Sequence, residues 1–233
     1  MTQPLAGFLL INKSQGWTSF DIVAKLRRIT GVKKIGHAGT LDPLASGLLI
    51  VAVGREATKR IDEFKAMEKD YEAELEFGKV SDTYDIDGNV LAFARIDRDD
   101  ANPNPVSIET VSSALNSFLG VIEQMPPAFS AKKIGGTPAY KLARQGKVVE
   151  LKPATIEIKQ IEILKYAWPL LSLKVTCGAG TYIRSLIHDL GQKIGCGAIM
   201  TGLVRTRIGQ YELMDAKNID ALTIDNWMDF MVV

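Results

Sequence analysis

The sequence predicts an α+β protein, and three stretches carry that prediction. Tyr71-Glu72-Ala73-Glu74-Leu75-Glu76-Phe77 alternates apolar and acidic residues without a break, the pattern of a strand with one buried face. Ile183, Leu186, Ile187, Leu190 and Ile194 recur at helical spacing and stop before Gly195, which marks an amphipathic helix and its end. Residues 154–164 and 170–175 alternate again and predict two more strands. Strand and helix signals are mixed along the chain, with no internal repeat or low-complexity segment, so a single domain is expected.

The other elements follow in order. Residues 5–11 predict a first strand leading into a turn at 12–16. Thr18 or Ser19 can cap a helix whose apolar positions are Ile22, Val23, Leu26 and Ile29, with Gly31 as its stop and its basic residues facing outward. A short apolar strand is expected at 48–53, and one helix with interleaved charges at 57–64. Asp82 to Gly88 superficially suggests a calcium loop. Aligned on Asp85, Asp87 and Gly88, that pattern puts Thr83 at the first ligand position and Ala94 where a bidentate glutamate belongs, so the segment is a polar turn before a strand at 90–94.

Residues 97–105 are charged and contain proline, a surface connection inserted near 97–107. Ser107 then caps a helix carrying Val111, Leu115, Phe118 and Leu119. Residues 125–134 form a basic, proline-bearing loop, and 140–145 a short helical turn closed by Gly146. A last strand region spans 198–211, and a short helix is expected at 219–228.

Bulk properties narrow the class. A chain of 233 residues with 46% hydrophobic residues can bury a sizeable core. Its formal net charge of +1 announces no polyanionic partner globally, but positive charge is concentrated locally: Lys25, Arg27, Arg28, Lys33 and Lys34 precede His37, Lys132 and Lys133 follow a proline pair, and Arg205 and Arg207 lie near the end. Taken singly, each cluster also fits a solvated surface. Cys177 and Cys196 are far apart and form no C-x-x-C pair, so neither a zinc site nor a disulfide framework is expected. The apolar run at 5–11 is too short to cross a bilayer and follows no basic residue; a cytoplasmic protein with no membrane attachment is expected.

The candidate site is the glycine-rich loop Gly36-His37-Ala38-Gly39-Thr40-Leu41-Asp42-Pro43-Leu44-Ala45-Ser46-Gly47. Glycines permit close backbone approaches and Pro43 fixes φ just after the carboxylate, which is how a chain holds one acid rigidly. Local chemistry alone favours an ordinary turn initiator. Tyr71, at the start of its strand, is on the same reasoning either core or the border of a pocket. Arg184 falls in the first turn of its helix, where the dipole disfavours a cation, so an anion nearby is expected.

The loop GHAGTLDPLASGLL resembles the catalytic loop of bacterial tRNA pseudouridine-55 synthases of the TruB type. Further blocks match in the family's order: Lys13-Ser14-Gln15-Gly16-Trp17-Thr18-Ser19, Asp82-Thr83-Tyr84-Asp85-Ile86-Asp87-Gly88, Pro126-Pro127-Ala128-Phe129-Ser130-Ala131-Lys132-Lys133, Ala139-Tyr140-Lys141-Leu142-Ala143-Arg144-Gln145-Gly146, and Gly180-Thr181-Tyr182-Ile183-Arg184-Ser185-Leu186-Ile187-His188-Asp189-Leu190-Gly191. Ser14 stands where the family usually has proline, and Val204 interrupts what is often a Leu-Arg-Arg run.

The resemblance implies the pseudouridine synthase fold, a mostly antiparallel mixed sheet with flanking helices, spanning 1–233 as one catalytic domain. It implies an isomerase that flips out the T-loop uridine of tRNA and converts it to pseudouridine, with no cofactor or metal and no obligatory protein partner. Asp42 is then the catalytic residue, Arg184 orients and pairs with it, and Tyr71 stacks on the flipped uracil. Tyr182 and Leu203 line the pocket, His37 stacks against the opened RNA loop, and Lys13, Lys132 and Arg205 contact phosphates. His188 receives no role. A small C-terminal RNA-binding domain of the PUA type, carried by many members, is expected to be absent or vestigial. A non-catalytic tRNA-folding factor and a guide-RNA-directed synthase are rival readings. A glycosidase is a weaker one, because it would need a second acid such as Asp85 or Asp87.

Overall fold

The computed structural model describes residues 6–93, 105–147 and 149–232. Contacts divide the chain into two compact units, Met1–Tyr71 with Leu203–Val233, and Glu72–Gly202.

The first unit is built on the strand Ser46–Val53. It pairs antiparallel along its length with Gly7–Lys13, from Gly7 opposite Val53 to Lys13 opposite Gly47. Its other edge takes Ile35–His37 antiparallel and Ala198–Ile208 parallel, the latter through Val204 opposite Ser46 and Arg205 opposite Gly47. Leu48, Leu49, Ile50, Val51, Ala52 and Val53 are all buried, as an apolar run covered on both faces must be. On the far side of Gly7–Lys13 lie Lys217–Asn218, parallel, and Met231–Val232, antiparallel.

Thr18, not Ser19, caps the helix Ser19–Thr30, in a capping box with Asp21 that contributes about 1 kcal/mol. Gly31 closes it in the left-handed conformation, and Ile22, Val23 and Leu26 face the core. Ser19 is thereby released for another task. Its hydroxyl donates to the Leu41 carbonyl at 3.1 Å and accepts from the Leu41 amide at 2.9 Å, tying the start of the helix to the residue before Asp42.

Two expected helices differ. Residues 57–64 are not one helix but parts of two, Arg55–Lys59 and Ile61–Ala66, separated at Arg60, whose amide donates to the Ala57 carbonyl three residues back. Tertiary packing sets the break: Phe64 packs on Phe8 with ring centroids 4.4 Å apart and on Tyr211 at 5.7 Å. The helix expected at 219–228 is replaced by the 3₁₀ turns Ile219–Ala221 and Trp227–Phe230. Asn226 accepts from the Thr223 amide and donates to the Ala221 carbonyl, bonds that compete with the helical ladder.

In the second unit, Ala154–Ala167 and Leu170–Cys177 form a long antiparallel hairpin, and Gly120–Gln124 pairs antiparallel with the start of the first of them. Gly120–Gln124 was not expected from sequence: it is short, and Val121 is exposed on it. The strand Lys69–Phe77 shows the predicted alternation, with Tyr71, Ala73, Leu75 and Phe77 buried and Glu72 and Glu74 exposed. Lys79–Ser81 and Val90–Ala92 make a small hairpin around the Asp82–Gly88 turn. The connection expected near 97–107 lies mostly outside the described residues. The helix Ile108–Asn116 starts at its Ser107 cap but ends before Phe118 and Leu119. The helix Ile183–Ile194 has the expected limits, with Ile183, Leu186, Ile187 and Leu190 buried and Gly195 left-handed at its end. Most of these pairings are antiparallel and two are parallel, in keeping with the mixed sheet and flanking helices that the resemblance implies.

Candidate active site

In the first unit, Asp42 sits half-buried on a loop anchored from both sides. Leu41 and Leu44 go into the core at 3% and 4% exposure while Thr40 and Pro43 stay at the surface, so the carboxylate is carried at the rim of the apolar interior. Main-chain bonds hold the loop: Ala38 amide to Ile50 carbonyl at 2.9 Å, Gly16 amide to Pro43 carbonyl at 2.8 Å, and Ala45 amide to Asp42 carbonyl at 3.1 Å. Together with the Ser19 bonds, they remove the freedom a surface turn would keep.

Two buried cations brace this loop. Arg205, on the strand beside Ser46–Val53, donates Nε to the Leu48 carbonyl at 2.8 Å and Nη2 to the Gly39 carbonyl at 3.1 Å. Lys13 donates Nζ to the Trp17 carbonyl at 2.7 Å and the Ser14 carbonyl at 3.1 Å. Their exposures are 1% and 0%. Both are expected phosphate contacts. Within the chain, Lys13 Nζ and Arg205 Nε and Nη2 donate to main-chain carbonyls, acceptors that a buried cation needs, and these bonds brace the carboxylate loop.

Burial pushes the Lys13 ammonium down to about 8; the Asp42 carboxylate works against that shift and Arg205 adds to it. Lys13 is therefore a cation electrostatically coupled to Asp42 at neutral pH. Its ordinary value is 10.5, so between pH 8 and 10.5 the unfolded chain binds the extra proton and stability rises with pH. The urea midpoint of the wild type should climb from pH 7.5 to 10, and Lys13→Met should flatten that climb. Equal slopes would remove Lys13 as its source.

His37 is half-buried, and burial, followed by the charges of Arg205 and Lys65, pushes its imidazole below the ordinary value, so it is neutral at pH 7. Its Nδ1 is buried without a hydrogen-bond partner among the described residues. Tyr71, 8% exposed, lies on the buried face of its strand, and Leu203 is half-buried. The start of the Tyr71 strand is clamped by Arg207, which donates to both oxygens of Asp70 at 2.8 and 2.7 Å and to Glu68 at 2.6 Å.

In the second unit, Arg184 is 5% exposed. It donates Nη1 to the Thr83 carbonyl at 2.8 Å and Nη2 to the Phe129 carbonyl at 2.9 Å, with the Asp85 carboxylate 3.4 Å from Nη1. Asp85 is thus one anion beside the first-turn cation. Its Oδ1 accepts from Thr83 Oγ1 at 2.5 Å and from the Asp87 amide at 3.1 Å, leaving Oδ2 to face Arg184. Sequence reasoning gave Asp85 no role beside Arg184 because an Asp-x-Asp-Gly run is also what a plain turn looks like; the available signal was its place inside a block that matched the family.

Gln124 was also missed. Buried at 2%, it holds Tyr182 by both ends of its amide, accepting from the Tyr182 amide at 2.8 Å and donating to the Tyr182 carbonyl at 3.0 Å. Lys132 is half-exposed and donates to the Lys152 carbonyl at 3.2 Å. Its stretch, 125–152, also carries Lys133, Lys141, Arg144, Lys147 and Lys152 against the single acid Glu150, a basic arm suited to a phosphate backbone.

Comparison with known proteins agrees with these motifs. Residues 27–183 match the model of the TruB family pseudouridylate synthase N-terminal domain, and 184–230 that of the tRNA pseudouridylate synthase B C-terminal domain. The chain is 48% identical over 214 residues to tRNA pseudouridine synthase B of Protochlamydia amoebophila, covering 92% of this chain and 78% of that protein. It is 41% identical over 225 residues to the protein of the same name from Opitutus terrae, covering 95% and 90%. Among solved structures it is similar to a chain in a Cbf5-Nop10-Gar1 complex, with 28% identity and a TM-score of 0.71; the match covers 95% of this chain and 54% of that one, so the chain spans about half of it. The loop around Asp42, the Arg184 helix and these matches agree, and the chain belongs to the TruB family of pseudouridylate synthases.

Proposed function

We propose that this isomerase, which converts uridine in tRNA to pseudouridine, acts on the T-loop uridine at position 55 through the carboxylate of Asp42. The observation that carries the assignment is the Asp42 loop: a carboxylate at the rim of the core, anchored by Leu41 and Leu44, with the buried cation Lys13 coupled to it. The reaction breaks the C1′–N1 bond of the nucleoside and forms C1′–C5; the proton on C5 leaves to water and N1 gains one. Substrate and product are isomers, so one carboxylate acting as nucleophile or as base suffices.

A uridine in a folded loop must be extruded before any carboxylate reaches it, at a cost of a few kcal/mol. Stacking on an aromatic offsets about 1 to 3 kcal/mol per base, and Tyr71 is assigned that role. Arg184, Tyr182 and Leu203 support the site, and His37 and Lys132 meet the RNA. The chain acts in the cytoplasm on bare tRNA, without an obligatory protein partner. No helix among the described residues is long and apolar enough to cross a membrane.

The test is tritium release by the purified chain from tRNA labelled at uracil C5. One equivalent per tRNA, lost when position 55 is cytidine, is the expected result. Release that persists from the cytidine-55 tRNA would move the target elsewhere, and binding without any release would favour a tRNA-folding factor. Asp85→Asn is expected to slow release at least about tenfold, because it removes a charge held 3.4 Å from a buried guanidinium. A rate equal to wild type would confine Asp85 to a turn.

A further inference from the structure

Tyr84 is the one non-glycine residue with positive φ among the described residues, at 65°. Bulky side chains avoid this region, so the surroundings must hold it there. What holds it is visible on both sides. Its amide donates to the Ser81 carbonyl at 3.3 Å and its carbonyl accepts from the Met200 amide at 3.0 Å. Its ring stacks on His188, with centroids 3.8 Å apart and planes 12° from parallel.

His188 lies four residues after Arg184 in the helix Ile183–Ile194, hence on the same face. Three consecutive turn residues therefore engage two helix residues one turn apart. Thr83 takes Arg184 through its carbonyl, Tyr84 takes His188 through its ring, and Asp85 takes Arg184 through its carboxylate. His188 Nδ1 is buried without a partner among the described residues, so the imidazole contributes here as a ring and not as a hydrogen-bonding group at that nitrogen. Burial pushes it below the ordinary histidine value, which keeps the ring uncharged at neutral pH.

We infer that the Tyr84–His188 stack is a positioning device for the reaction: it clamps the Thr83-Tyr84-Asp85 turn onto the helix so that Asp85 and the Thr83 carbonyl fix the Arg184 guanidinium. The inference rests on the assignment of Arg184 to the active site. Neither ring touches substrate in this account. The stack supplies orientation, and losing it should lower the rate of the chemical step without weakening RNA binding.

Four single variants and one double variant test this, each measured for single-turnover tritium release, affinity for tRNA and thermal midpoint. Tyr84→Gly deletes the ring while relieving the backbone, so it folds even if His188→Ala does not. Both deletions are expected to lose roughly tenfold in rate with affinity within about twofold. Tyr84→Phe and His188→Phe, which keep a stacked pair, should stay within about threefold of wild type, and Tyr84→Gly with His188→Ala should be no slower than the slower single variant. Wild-type rates in the deletions, phenylalanine variants as slow as the deletions, or a loss confined to affinity would each overturn the inference. An inactive wild type would instead overturn the isomerase reading, so the two failures are distinct.

Discussion

Asp42→Asn is expected to reduce tritium release from tRNA by at least about a thousandfold while leaving tRNA affinity within about threefold. Asparagine keeps the size of the side chain, removes its charge and basicity, and exchanges one acceptor oxygen for an amide donor. The bonds that shape the loop, from Ala38, Ser19, Gly16 and Ala45, run through main-chain atoms and the Ser19 hydroxyl, so the substitution leaves them in place. Stability therefore serves as an internal control with a sign of its own. The Asp42 charge works against the lowering of Lys13, so removing it takes Lys13 further below 8, and the rise of stability with pH should begin at lower pH in the variant. Loss of release together with that displaced rise would identify Asp42 as the acid of the reaction and as the partner of Lys13. Release within tenfold of wild type would sink the assignment, whatever the stability profile showed.

The parts of this architecture that were legible in the sequence are those set by near neighbours. The alternation at 71–77 needs only a period of two, and the helix 183–194 only its apolar stripe and Gly195, and both appear as expected. The loop around Asp42 was legible as a rigid holder from its glycines and Pro43. Its braces were not. Arg205 reaches the Leu48 and Gly39 carbonyls across 157 and 166 residues, and no local pattern distinguishes a cation bound for such acceptors from one bound for phosphate. Asp85 was legible only through the family-matching block that contains it, because its local pattern is that of a turn and its value comes from Arg184, almost a hundred positions away. The expected helix at 219–228 failed differently. Ile219, Leu222 and Trp227 are all buried, yet the bonds Asn226 makes to residues 221 and 223 favour short turns over a continuous helix.

Gly47→Ala is expected to be among the most destabilising single substitutions in the chain, by about 3 to 5 kcal/mol. Gly47 has φ of 105°, and a Cβ built there would lie 2.4 Å from the Arg205 carbonyl oxygen, 2.7 Å from its amide nitrogen and 3.0 Å from its carbonyl carbon. These are backbone atoms of a paired strand, which cannot swing aside as a side chain would. The site gives the clash a functional consequence, because Gly47 is opposite Lys13 on one strand and Arg205 on the other. Forcing those strands apart displaces both cations that brace the Asp42 loop, so activity should fall even under conditions where the variant is folded. Gly31→Ala isolates the conformational part: φ there is 69° with nothing within 4 Å of the added carbon, and its expected cost is about 1 kcal/mol. Urea unfolding of the two variants separates the effects. A loss at Gly47 no larger than at Gly31 would mean that the strands move apart cheaply, and the rigidity claimed for the Asp42 loop would then have to come from Ser19 and the main-chain bonds alone.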